Sequence, residues 1–186
     1  PWDAPPGALV IEPGQGFGTG DHPTTRLAWQ LVEELLDGAE PPTRLLDVGC
    51  GSGILALAAA RRGVSARGID VEAEAVAEAR HNAERNGLVV ETLAANVFDQ
   101  LRAFEADGRQ FDGIVLDPPA FCPNRRAVAA GRRAYKEINL RALKLLRPGG
   151  RLVTWTCSAH MTRPDFEKVV AEAAADARRW ARVVER

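Results

Sequence analysis

An α/β fold, a mostly parallel sheet with helices on both faces, is what these 186 residues predict, and three features predict it. Apolar runs of strand length alternate with Ala- and Leu-rich runs of helical period along most of the chain. Gly or Pro stands at the end of most of the helical runs, where a helix is stopped. The residue types that carry chemistry follow the apolar runs directly, and ligands of open α/β sheets bind at the carboxyl ends of the strands.

In order, 8–12 reads as a short strand, and a Gly-rich loop runs from Pro13 to Asp21. A helix over 23–37 follows, with Leu27, Leu31, Leu35 and Leu36 on one face and Gly38 and Pro41-Pro42 as its stop. Strands are expected at 44–48, 66–71, 89–95, 111–116 and 151–157, and a sixth is expected to begin at 181–185. Helices are expected at 54–62, 72–86, around 97–106, 132–146 and 163–178. In the 72–86 helix Val76, Ala79 and Ala83 face inward. Residues 1–41 then form an N-terminal strand, loop and helix, and 42–186 the core, within one compact domain.

Composition narrows the function classes. No apolar run reaches the ~18–20 residues of a membrane span. Residues 1–7 lack the basic and apolar regions of a signal peptide, and the missing Met points to a chain cut from a longer one. Three Cys without a C-x-x-C pair, and only three His, argue against a disulfide framework or a metal site and for the reducing cytoplasm. The charge is uneven. Residues 121–151 hold nine Lys or Arg against Glu137 alone, a net of +8, which is either a solvated helix face or a patch for an anionic partner such as RNA.

The strand at 44–48 runs into Asp47-Val48-Gly49-Cys50-Gly51-Ser52-Gly53. Glycines let a backbone turn tightly and approach a ligand. The dinucleotide fingerprint G-x-G-x-x-G needs its third Gly one place later, so a pyrophosphate binder is disfavoured. Asp47 followed by Gly49, Gly51 and Gly53 resembles motif I of class I methyltransferases that use S-adenosylmethionine (SAM). The resemblance implies a Rossmann-like fold and a loop that wraps the amino-acid part of SAM. Asp70, about 20 residues on and followed by Val71, suits the ribose hydroxyls; its alternative is to cap the next helix. Asn96-Val97, after the third strand, stands where that family contacts adenine; its alternative is an ordinary turn.

Upstream, Phe17-Gly18-Thr19-Gly20-Asp21-His22-Pro23-Thr24-Thr25 resembles a segment of the ribosomal-protein lysine methyltransferases, over roughly 2–90. That likeness implies that Phe17, Gly18, Thr19, Gly20, His22, Pro23, Thr24 and Thr25 fold over SAM. The stretch from about 94 to 180 instead resembles the rRNA 5-methylcytosine methyltransferases, through Asp117-Pro118-Pro119-Ala120-Phe121, Tyr135–Leu140 and Thr156-Cys157-Ser158. It implies Cys157 as nucleophile, with Asp117, Pro118 and Pro119 as a stiff ledge gripping the target base. Carbon 5 of cytosine is a poor nucleophile until a thiolate adds at carbon 6, so this chemistry requires such a Cys. If the fourth and fifth strands are neighbours, Asp117 and Cys157 face one unstacked base. Cys157 is otherwise a core thiol, Cys50 packing, Cys122 a second thiol or packing, and Trp155 core or pocket wall. The sequence thus favours methylation of RNA, most simply rRNA. A protein amine methyltransferase acting on a ribosomal protein and a non-catalytic SAM-binding module are the alternatives.

Overall fold

The computed structural model describes residues 8–12, 23–38 and 40–184. Helix α1 (Pro23–Leu36) precedes an alternating series. The strands are β1 (Arg44–Val48), β2 (Ser65–Asp70), β3 (Val90–Ala94), β4 (Phe111–Leu116) and β5 (Leu146–Thr154). Between and after them lie α2 (Ile54–Arg61), α3 (Ala73–Arg85), α4 (Val97–Ala106), α5 (Val128–Leu145) and α6 (Arg163–Asp176), with a 3₁₀ turn at Arg125–Ala127. The sheet order is β3-β2-β1-β4-β5, and every pair is parallel.

Strand alternation builds the two layers. Leu45 and Val115 point to one face, where they pack with Ala28, Val32 and Leu35 of α1 and with Leu55, Ala56 and Ala59 of α2. Leu46, Ile114 and Leu116 point to the other, against Leu101 and Phe104 of α4, Ile138 and Ala142 of α5 and Ala173 of α6. The helices that follow β1 and β4 thus lie on opposite faces. The crevice between the carboxyl ends of β1 and β4 is the switch point at which such sheets bind ligands.

Four expectations are corrected. Residues 8–12 form no strand. Their backbone is held instead by side chains of α3: Val10 N–H donates to Asn86 Oδ1 (2.8 Å) and Glu12 N–H to Asn82 Oδ1 (3.0 Å). The helix expected at 132–146 begins a turn earlier, at Val128, because Gly131 lies in its interior against Phe121 and Cys122 rather than breaking it. The fifth strand starts at Leu146, ahead of Pro148, and bulges: Phe111 faces Leu146 but Gly113 faces Arg151, with Gly149 at φ +80° between them. Proline in a strand is tolerated on such an edge. That strand also ends at Thr154, not Cys157. Residues 181–184 lie in no strand, and Trp180, Val183 and Val184 are exposed.

Candidate active site

The loop after β1 is shaped by its backbone. Gly49, Gly51 and Gly53 all have positive φ (+82°, +49° and +80°). A Cβ at Gly49 would run into the carbonyl oxygen of Asp117, so the loops after β1 and β4 touch through bare backbone. Gly49 and Cys50 donate their amides to Ile69 O (2.8 and 3.1 Å), and Gly51 donates to Asp70 Oδ2 (3.0 Å). Asp70 also accepts from Glu72 N–H (3.1 Å), a local turn rather than a helix cap, since α3 starts with Glu72 as its N-cap. Val71 stands exposed beside it. Asn96 does cap α4, accepting from Phe98 and Asp99 amides (3.0 and 3.3 Å), and Val97 is the half-buried first residue of that helix. Cys50 packs under Gly68 and burial pushes its thiol far up, so it is packing, as is the buried Cys122.

The carboxylates decide what this crevice accepts. Asp47 is fully buried; one oxygen accepts from Ala56 N–H (3.1 Å) and the other has no partner among the described residues. Burial first, then the charges of Asp117 and Asp70, push its pKa to about 7. Burial likewise pushes Asp117 to about 6, against a hydrogen bond from Trp155, with Asp70 adding to the rise. Crowded acids of this kind repel a pyrophosphate and favour a cation. SAM carries an ammonium and a sulfonium, so an unpaired Asp47 oxygen, a bare glycine cradle and three neighbouring carboxylates fit it. Asp47, Gly49, Gly51, Gly53 and Asp70 would hold it. The expectations on Phe17, Gly18, Thr19, Gly20 and His22 lie outside the described residues. Pro23, Thr24 and Thr25 form the first turn of α1. Thr25 is buried and, with Arg26, Trp29, Gln30 and Ile54, lines a cavity of about 330 Å³ beside the start of α2.

Across the switch point, β4 and β5 are neighbours, which brings Cys157 against the ledge that follows Asp117. Pro118 is buried, Pro119 exposed, and the exposed Cys157 donates its S–H to Pro118 O at 3.5 Å. Burial and the nearby Asp117 charge raise the Cys157 pKa. His160 is exposed, as a loop His should be.

Sequence reasoning missed two buried polar groups. Tyr135 on α5 is fully buried, and its hydroxyl joins both reaction loops. Asn82 on α3 is also fully buried; besides holding Glu12 it donates to Ser52 O (3.0 Å) in the glycine loop. A signal existed: Asn82 falls three residues after Ala79, on the inward stripe, where an unpaired amide is costly.

The basic block is largely neutralised within the fold. Arg132 pairs with Asp165, Lys136 with Asp176 and Glu172, Arg141 with Glu105 and Glu137, Lys144 with Glu105, and Arg147 with Asp112. Arg151 reaches Glu34 O (3.4 Å). Arg125, Arg126 and Arg133 are exposed and have no ion pair among the described residues.

A parallel sheet in this order, with an Asp-led glycine loop at its switch point and a cation-favouring crevice, defines a class I SAM-dependent methyltransferase, whose cofactor is SAM. The family model described as ribosomal protein L11 methyltransferase (PrmA) matches residues 3–117, more than half of the chain, and the chain belongs to that family. Among curated proteins, the ribosomal RNA large subunit methyltransferase I of Shewanella amazonensis is 42% identical over 182 residues, which are 96% of this chain and 45% of that protein. The chain therefore spans under half the length of that relative. The crystal structure of the ribosomal protein L11 methylase from Lactobacillus delbrueckii subsp. bulgaricus has a TM-score of 0.67 and 25% identity, covering 89% of this chain and 75% of that one. A SAM-dependent methyltransferase from Agrobacterium tumefaciens superposes with a TM-score of 0.71 at 18% identity, over 84% of this chain and 51% of the other, and supports the fold alone.

Proposed function

We propose that this chain is the catalytic domain of an RNA methyltransferase that modifies carbon 5 of a cytosine, most simply in large-subunit rRNA, using Cys157 as nucleophile. The carrying observation is the exposed Cys157 thiol set against the Pro118 carbonyl beside Asp117, at the mouth of the crevice. The name of the Shewanella relative, matched along 96% of this chain, supports the substrate class. Residues 1–41 supply the cover of the SAM site and 42–186 the Rossmann-like core, and the reducing cytoplasm keeps Cys157 a thiol.

Bound SAM supplies an electrophilic methyl group on a sulfonium. The Cys157 thiolate adds to carbon 6 of the base, which moves an electron pair into the ring and makes carbon 5 the nucleophile. Asp117, whose pKa burial raises to about 6, places a proton on ring nitrogen 3 from its protonated fraction as that charge develops, and takes the proton back once carbon 5 holds the methyl group. After carbon 5 is methylated, a base removes its hydrogen as a proton and the electrons of that bond expel the thiolate. Pro118 and Pro119 fix the ledge on which the base lies, since proline locks φ and cannot hydrogen-bond the base from its nitrogen. Arg125 and Arg126, in the turn before α5, and Arg133, within it, have no ion pair among the described residues and meet the flanking phosphates.

A second reading, methylation of an amine on a ribosomal protein, is favoured by the family match over 3–117. An amine needs no thiolate adduct. Transfer of labelled methyl to rRNA and to ribosomal protein, by wild type and Cys157→Ala, separates the two. Label in RNA that vanishes in the variant is expected; label in protein that survives it overturns the cytosine mechanism.

A further inference from the structure

Tyr135 is the chain's single tyrosine, and its ring alone explains its burial. It lies 4.8 Å from Phe121 and edge-on to Phe166 at 5.5 Å, between centroids, inside the cluster formed by Cys122, Met161 and Val169. A phenylalanine would satisfy every one of those contacts. A buried hydroxyl is costly unless bonded, so the phenol oxygen calls for a separate reason.

That reason lies in what it joins. Thr156 Oγ1 donates to the phenol oxygen at 2.8 Å, Ser158 Oγ shares a hydrogen bond with it at 2.8 Å, and the Phe121 amide donates to it at 3.4 Å. Ser158 Oγ also accepts from the Cys122 amide (2.9 Å), and Thr156 Oγ1 from the Ser158 amide (3.1 Å). Phe121 and Cys122 end the Asp-Pro-Pro ledge; Thr156 and Ser158 are the residues on either side of Cys157. One phenol on α5 thus holds both loops of the reaction site and brackets the thiol between its two partners. Gly131, one turn earlier on α5, lets Phe121 and Cys122 pack flat on that helix, where any Cβ would collide with them.

We infer that Tyr135 is a positioning residue for Cys157. Its hydroxyl sets the distance and direction of the thiol relative to the ledge, acting through Thr156 and Ser158 without touching the substrate. The inference rests on the reading of Cys157 as nucleophile, so its test includes a measurement that needs no methyl transfer.

Tyr135→Phe keeps the ring and removes the hydroxyl. The rate of Cys157 alkylation by iodoacetamide, followed by intact mass with Cys157→Ala assigning the site, reports how the thiol is held. Cys50 and Cys122 are buried and stay silent. The expected result is a several-fold rise in alkylation rate as the loop loosens, with kcat on RNA at least tenfold lower and KM for SAM unchanged. Phe166→Leu, which loosens the same cluster but spares the hydroxyl bonds, should leave kcat near wild type at a temperature where both variants are folded. An alkylation rate equal to wild type in Tyr135→Phe overturns the positioning role whatever the substrate, and so does an equal loss of kcat in Phe166→Leu. Cys157→Ala that still methylates RNA would instead sink the nucleophile reading, leaving the alkylation result to decide whether Tyr135 fixes the loop.

Discussion

The two halves of the crevice are held in different ways. Around β1 and β2 the parts are backbone: three glycines at positive φ, amides donated to Ile69 and Asp70, and a carbonyl of Asp117 pressed against Gly49. Around β4 and β5 the parts are side chains, with Tyr135, Thr156, Ser158 and Trp155 fixing Cys157 and Asp117. A cofactor shared by many enzymes is met by a loop that few side chains can alter. The proposed substrate ledge, beyond the backbone bond from Asp117 N–H to Val48 O (2.8 Å), is fastened by replaceable side chains.

Three substitutions sharpen that contrast, largest effect first. Asp117→Asn should damage only the reaction half. Methylation of RNA is expected to fall at least about a hundredfold, in the range of a lost general acid. SAM affinity by calorimetry should stay within a few-fold. Because the Asp117 charge helps raise the Cys157 pKa, its removal lowers that pKa, and alkylation of Cys157 near pH 8 should speed up. Wild-type turnover in this variant would leave Asp117 without a role in proton transfer.

Asp70→Ala should damage only the cofactor half, weakening SAM by about 1.5–3 kcal/mol, the scale of a lost charge-assisted hydrogen bond. Calorimetry giving unchanged affinity would take Asp70 out of the ribose role. The smallest effect concerns the cations. Replacing Arg125, Arg126 and Arg133 with Gln should make the salt dependence of RNA binding shallower by about 2 in log–log slope, at roughly 0.7 per phosphate on a single strand. Arg141→Gln, whose guanidinium is spent on Glu105 and Glu137, should leave that slope alone. Equal slopes in the triple variant and wild type would make the three arginines a solvated face.

Local signals made most of the fold legible. Among the described residues, the first four sheet strands and five of the six helices form close to where period, Gly and Pro place them, while α5 and β5 are shifted at their ends. The glycine loop and the approach of Cys157 to the Asp-Pro-Pro ledge are legible for the same reason, once β4 and β5 are neighbours. The residues that escaped notice depend on distant partners. Glu12 and Asn82 are 70 positions apart, and a side-chain tether leaves no periodicity in 8–12 to tell it from a strand. Tyr135 reads as one more apolar position on α5, since its inward spacing with Ile138 and Ala142 says nothing of a hydroxyl. The net of +8 in 121–151 left a solvated face and an anion patch both open for a related reason. Charge counted along a chain cannot see that Glu105, Asp112, Asp165 and Asp176 come back to meet it.

The amide of Asn82 clasps residue 12 on one side and the glycine loop on the other. Each segment has further ties of its own, to Asn86 and to Ile69, and this one amide couples them. Asn82→Ala should therefore speed hydrogen exchange at the Glu12 amide. Binding at the cofactor loop should slow that exchange in wild type more than in the variant, which makes the N-terminal segment a remote gauge of how tightly the cofactor loop is closed.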